Sequence, residues 1–422
     1  MRNKKWVGLT ACLLAVLLSG CGGKKADGGT IVVNVLSSDD YAGFRASLIS
    51  EFEAANPGIK INFTSVGYDA LHQKTITAMT SGSSVYDVID MDDIWTSEFV
   101  NSGYVVCLDD LVTDDIKRNI APAALNINMY EGKLYGLPAA NDLLFLYYNK
   151  EMLQQVGVTT FPATWDELTS VVQEIQRRGL AEYGTHWGWA QAEGLICYYY
   201  TFVKGFGGAL ADEKTHQPTV NRPENIRALQ YMIDSLYETK ISAPGSITSD
   251  DRNVIELFSQ GKTLFALNWS FAWGVFNDPS QSMVVNKVGV ALIPGTASTR
   301  SASCAGTIGL AIASTSKNKD AAWKWIQFLA ERGVQKRQAL EAGTLPIWSE
   351  QYNDPDLLAE HPALPEMLAQ LEYAYTRPSL VWYNEFSSNL QVELQNALTR
   401  NKTASQALND AQKTLEELAK TY

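Results

Sequence analysis

The sequence predicts an α/β fold built of mostly parallel sheets flanked by helices. Three observations carry this expectation. Residues 31–36 form a β-branched apolar run, residues 60–66 and 86–91 repeat that character, and helical patterns lie between them. Such alternation packs helices on both faces of a parallel sheet. The same strand character returns at 262–268, 287–293 and 307–313. The chain has 422 residues, 46% apolar and 19% charged, enough for two or three globular domains of roughly 150 residues each.

The first twenty residues stand apart from that fold. Arg2, Lys4 and Lys5 form a positive start, and residues 6–18 form an apolar run. The run is shorter than the ~20 residues that span a bilayer. It ends in Leu18-Ser19-Gly20-Cys21, which resembles a bacterial lipobox. Residues 1–20 are therefore expected to be a lipoprotein signal peptide, with Cys21 the lipidated first residue of the mature chain. Residues 21–30, rich in glycine and charge, read as a flexible tether that keeps the body near a membrane. Loss of the signal removes three positive charges and no negative one, taking the formal charge from −12 to −15. An acidic body of this kind offers no basic face to nucleic acid. Cys107, Cys197 and Cys304 remain, an odd number at long spacings. That fits buried thiols or at most one bridge, not a disulfide scaffold or a zinc motif.

The elements follow in order. The first strand leads to Asp39 or Asp40, either suited to cap a helix that carries Phe44, Leu48 and Phe52 on one face. Asn56-Pro57-Gly58 stops that helix. A helix over 68–80 follows the second strand, and Ser81-Gly82-Ser83-Ser84 is a loop. Residues 143–149 are another apolar strand. Thr164 and Glu167 form a capping box that opens a helix to about residue 178. Gly205-Phe206-Gly207-Gly208 lacks the spacing of a dinucleotide loop and reads as a helix end. A helix over 321–330 carries Ala321, Trp325, Phe328 and Leu329 on one face, and after Pro346 the pattern is helical to the end.

In such sheets ligands gather beyond the carboxyl ends of the strands, which singles out residues 37–41, 67–68 and 91–95. The sequence has no glycine-rich phosphate loop and no G-x-S-x-G turn, and its four histidines, His72, His186, His216 and His361, stand at no ligand spacing. Asp90, Asp92 and Asp93 lack the glycine and glutamate that complete a calcium loop. No metal, cofactor or enzymatic activity is expected, although paired carboxylates keep a lipid-anchored glycoside hydrolase as an alternative.

Eleven tryptophans point to a ligand with flat apolar faces. Sugars present C–H patches to aromatic rings and hydroxyls to carboxylates or amides, in concave sites with a few convergent polar groups. Trp95 stands beside Asp92 and Asp93, and Asn141 and Asp142 precede a strand. Trp187, Trp189, Gln191 and Glu193 lie in a loop-like stretch, Trp269, Phe271 and Trp273 follow a strand, and Trp382 and Tyr383 begin a late helix. Trp165, Trp323 and Trp325 fit core or surface packing. The candidate ligand-binding set is Asp39, Asp40, Tyr68, Asp92, Asp93, Trp95, Asn141, Asp142, Trp189, Phe271, Trp273, Gly306, Trp348, Trp382 and Tyr383.

Four stretches stand in one order along the chain. The first is Tyr86-Asp87-Val88-Ile89 with Trp95, Glu98-Phe99 and Gly103. The second is Gly132-Lys133-Leu134-Tyr135-Gly136-Leu137-Pro138, running on to Leu146-Tyr147-Tyr148-Asn149-Lys150. Phe258, Gly261-Lys262-Thr263 and the turn over 268–273 form the third, and Trp382-Tyr383 ahead of Ala407-Leu408-Asn409-Asp410-Ala411-Gln412 the fourth. Together, after a lipobox, they resemble extracellular solute-binding protein family 1, the maltose-binding-protein-like group, over nearly all of residues 31–422. The resemblance implies a type II periplasmic-binding-protein fold, with two lobes joined by hinge strands that close on ligand. It puts residues 31–142 and 288–345 in one lobe and 143–287 and 346–422 in the other. It implies a monomeric, extracytoplasmic receptor that hands a sugar, expected to be an oligosaccharide, to the membrane permease of an ABC importer. A glycerophosphodiester or a polyamine is the alternative ligand. Asp142 falls at a sugar-binding carboxylate, Phe271 or Trp273 at one stacking aromatic and Trp382 at another. The loop over 91–95 falls at the hydroxyl-binding loop but departs from the maltose pattern. Tyr86 replaces the usual proline, and the segment near Trp187 aligns poorly.

Overall fold

The computed structural model describes residues 29–422. The expected signal peptide, the lipidation at Cys21 and most of the tether lie outside the described residues. Two sheets organise the rest. The first has five strands in the order Ile59–Val66, Ile31–Ser38, Val88–Asp92, Ile308–Ile312 and Leu137–Pro138. Its first three strands are parallel, and Ile308–Ile312 runs antiparallel to both of its neighbours. The second has four strands in the order Val288–Ala291, Phe145–Asn149, Thr263–Asn268 and Tyr183–Thr185. Only its last pair is parallel. The expectation of mostly parallel sheets therefore holds for three strands of the first sheet and one pair of the second. Periodicity locates a buried strand but not its direction, and here the chain re-enters the first sheet at Ile308–Ile312 after building the second.

Local signals place most elements within two residues of the reading above. The Thr164 capping box is formed: Glu167 N–H donates to Thr164 Oγ1 at 3.2 Å, and Thr164 N–H to Glu167 Oε2 at 3.2 Å. It opens the helix Trp165–Arg177. The helix Glu193–Gly205 ends at the predicted glycine run, with Gly207 at a φ of 82°. The cap after the first strand is Ser38, not Asp39 or Asp40, because the strand continues two residues further. Both aspartates then sit in the first turn, where the helix dipole favours them. The expected helix bearing Phe44, Leu48 and Phe52 is divided into Asp39–Ser47 and Ile49–Ala55. Phe52 packs edge-on to Trp325 at 5.0 Å in the first lobe's core.

Crossing segments join the lobes side by side. Leu144 N–H donates to Cys304 O, and Gly306 N–H to Asp142 O, both at 3.1 Å. Ser303–Cys304 pairs in parallel with Ala374–Tyr375. Strand Val288–Ala291 is hydrogen-bonded to Phe145–Asn149, so the lobe switch expected at residue 288 falls after Ala291. Ile347 and Trp348 pack in the first lobe's core with Val33 and Trp325, so the switch expected at 346 also falls later. Helices Tyr383–Leu398 and Ala404–Ala419 close over Glu193–Gly205 and Pro223–Tyr237 in the second lobe. Among the described residues, no helix is long and apolar enough to cross a membrane.

Candidate ligand-binding cleft

A cavity of about 450 Å³ lies between the lobes. The first lobe contributes the ends of its three parallel strands: Asp39, Asp40 and Tyr41 after one, Gly67 to Ala70 after the next, and Asp92 at the third. Carboxyl ends of parallel strands leave backbone and side chains free to converge. The second lobe faces them with Gly188, the start of helix Glu193–Gly205, the turn Ser249–Arg252, and Trp269 and Phe271. Asp142, Gly306, Ile308 and Arg377 complete the lining from the crossing region.

Arg377 holds the base together. Its Nη1–H donates to Glu193 Oε1 at 2.7 Å, and its Nη2–H to Asp92 Oδ1 at 2.8 Å and Asp93 Oδ1 at 2.5 Å. The guanidinium is 1% exposed. Burial opposes the charge of Asp92, but Arg377 and hydrogen bonds, including that from Tyr68 Oη–H at 2.6 Å, hold its carboxyl below the usual range. Burial, with Asp92 adjacent, pushes Asp93 well above the usual range despite the same arginine. Tyr383 Oη–H donates to Glu193 at 2.7 Å and fixes it from behind.

Two further carboxylates come from opposite sides. Asp142 accepts from Tyr41 Oη–H at 2.9 Å and from Ser270 N–H at 3.0 Å, and burial raises its pKa to about 6 against those bonds. Asp251 accepts from Trp269 Nε1–H at 2.8 Å and Tyr198 Oη–H at 2.9 Å, and burial again raises it to about 6. The first bond fixes the Trp269 ring. That ring lies over Gly306, where a Cβ would come within 2.5 Å of Cζ3. Glycine is thus required there by the approach of the indole. Across the cleft mouth, Arg252 Nη2–H donates to Asp39 Oδ2 at 3.0 Å.

Of the candidate set, Asp39, Asp40, Tyr68, Asp92, Asp142, Phe271 and Gly306 line this one cavity. The others do not, each for a visible reason. Asp93 is behind Asp92 on Arg377. Trp95 is buried and stacks under Tyr68 at 5.5 Å. Asn141 donates to Tyr352 Oη at 2.8 Å. Trp189 stacks on Trp187 at 5.4 Å within the second lobe's core. Trp273 stacks on His361 at 4.9 Å. Trp348 donates to Ala330 O at 2.7 Å beneath the Arg332 guanidinium. Trp382 stacks on the C-terminal Tyr422 at 6.1 Å. Tyr383 supports Glu193. Tryptophan side chains are large enough to serve as core, and these five rings do so. Sequence reasoning missed Tyr41, Asp69, Asp250, Asp251, Arg252 and Arg377 and left Trp269 out of the set. Asp250 and Asp251 carry a readable signal, the start of helix Asp251–Ser259. Arg377 carries none, since it is a single arginine in a connecting segment. Among the described residues, no group of three His, Cys, Asp or Glu side chains is arranged to hold a metal ion.

A family model described as bacterial extracellular solute-binding protein matches residues 36–336. The chain belongs to this family. A putative binding protein of Brucella abortus is 28% identical over 374 residues, covering 87% of this chain and 88% of that one. Among solved structures, the maltose-bound MalE3 of T. maritima superposes with a TM-score of 0.85 at 28% identity, covering 92% of this chain and all of its own. An ABC transporter solute-binding protein of Agrobacterium radiobacter K84 in complex with ribitol superposes with a TM-score of 0.84 at 25% identity, covering 92% and 99%. The solute-binding chain thus has the type II two-lobed architecture, with its cavity between the lobes.

Proposed function

We propose that this chain is the extracytoplasmic, lipid-anchored substrate-binding component of an ABC importer, that it takes a sugar into the interlobe cleft, and that it catalyses no reaction on it. The observation that carries the reading is the cavity itself, where the faces of Trp269 and Phe271 meet carboxylates from both lobes. Aromatic faces suit the C–H patches of a sugar ring, and carboxylates accept from its hydroxyls. The ligands bound in the two solved relatives, maltose and ribitol, are both polyhydroxylated, which supports the same chemistry here. Ligand contacts to both lobes are complete only when the lobes are together, so binding selects the closed arrangement, which a permease then recognises. The Asp39–Arg252 pair is a contact of that closed arrangement.

The test is a thermal-shift screen of the mature protein against sugars and polyols, followed by calorimetry. A ligand at one hundred times its Kd stabilises the native state by about 2.7 kcal/mol. A clear shift with a sugar, without cleavage on prolonged incubation, is expected. No shift with any sugar or polyol, or turnover of an oligosaccharide, would overturn the reading.

A further inference from the structure

We propose that the sugar taken by this cleft carries a protonated amine, so that the receptor prefers a basic amino sugar to its neutral counterpart. This rests on the sugar-binding reading above and narrows it. The argument is one of charge. Eight of the lining residues are aspartate or glutamate, two are arginine, and none is lysine or histidine. Both arginines are already engaged. Arg377 serves Asp92, Asp93 and Glu193, and Arg252 serves Asp39. Asp40, Asp69, Asp142, Asp250 and Asp251 have no cationic side chain paired with them among the described residues. Arg252 bears on Asp40, but less strongly than the like charge of Asp39 does.

The partners that Asp142 and Asp251 do have are neutral: a backbone amide, two phenols and an indole. These donors satisfy oxygen lone pairs but leave the negative charge in place. A neutral sugar would add hydroxyl donors of the same kind, and the cleft would close over uncompensated charge, which is costly in a desolvated site. An ammonium supplies N–H donors and the missing countercharge together. An anionic ligand, such as a phosphodiester, meets the opposite balance.

A second observation separates an amino sugar from a bare polyamine. Trp269 and Phe271 line the same cavity as the acids and call for a ring face. A linear polyamine offers none. The chemistry that fits both the charge and the rings is a hydroxylated ring with a free amino group.

The experiment is titration calorimetry on the mature protein with matched ligands. These are neutral mono- and disaccharides of the gluco, galacto and manno series, their 2-amino-2-deoxy counterparts, the N-acetylated forms, and spermidine. The expected result is that at least one amino form binds ten times or more tighter than its neutral and N-acetylated partners, a difference of about 1.4 kcal/mol. That preference should weaken at higher salt and shrink by several-fold in Asp251→Asn. Asp40→Asn, at a more exposed position, gives the same reading if the first variant folds poorly. Neutral sugars binding as tightly as their amino forms would overturn the proposal and leave the sugar reading standing. Spermidine binding in place of every saccharide, or no saccharide binding at all, would overturn both.

Discussion

Arg377→Met is the most informative perturbation of this molecule. The substitution keeps an unbranched side chain of similar length and removes the cation shared by Asp92, Asp93 and Glu193, whose side chains are 4%, 5% and 13% exposed. Breaking one buried ion pair by removing a partner costs about 3–5 kcal/mol, because the other charge stays buried without compensation. Three carboxylates share this guanidinium, so the expected loss at pH 7.5 lies near the top of that range. The loss also has a pH signature. In the native chain Asp92 is held below its ordinary value. A depressed carboxyl contributes stability that is present above its unfolded pKa and lost only as pH falls through the folded one, so its contribution is constant between pH 7.5 and 5. Without Arg377, burial dominates and lifts Asp92. The folded variant then binds a proton that the unfolded chain does not, and acidification recovers about 1.4 kcal/mol per pH unit while that difference lasts. Urea unfolding at pH 7.5 and pH 5 measures both effects. A loss below about 1 kcal/mol at pH 7.5, or an equal loss at the two pH values, would refute the electrostatic account.

The other predictions concern the same cleft and its surroundings. Asp142 has a folded pKa near 6 against an ordinary value of 3.8, so it costs stability as pH rises through that interval, by up to about 3 kcal/mol. Asp142→Asn should flatten the dependence between pH 4 and 6.5 in a urea series, and an unchanged slope would count against it. Trp269→Ala should weaken sugar binding by more than ~1 kcal/mol in calorimetry. Trp382→Ala, whose ring rests on Tyr422 and Phe386, should instead lower stability by about 3 kcal/mol or more, with binding to the folded fraction unchanged. A maleimide should label Cys107 in the native protein and reach Cys197 and Cys304 only on unfolding, as their exposed and buried positions dictate. Mass spectrometry of the quenched reaction reads the order.

Local signals carried the secondary structure of this chain and the whereabouts of one wall of the cleft. The Thr164 box, the stop at Asn56-Pro57-Gly58 and the apolar run ahead of Asn149 act over a few residues, and their effects can be read in order along the chain. The strand-end rule placed Asp39, Asp40, Tyr68 and Asp92 because a parallel sheet always opens on that side. Strand direction was not readable, since a buried strand is equally apolar whichever way it runs. Nor was the division of the tryptophans. Trp95, Trp189, Trp273, Trp348 and Trp382 have the composition of a sugar platform, but each finds a packing partner far away in sequence, and burial of a ring is decided by what arrives opposite it. Asp251 and Arg377 owe their roles to neighbours 53 and 285 residues distant, Tyr198 and Asp92. Short-range chemistry therefore set the elements and the acid-rich, aromatic-rich inventory. Only the folding of two sheets around three crossing strands decided which acids share one guanidinium and which are left facing an open cavity, because charge pairing and desolvation depend on distance in space.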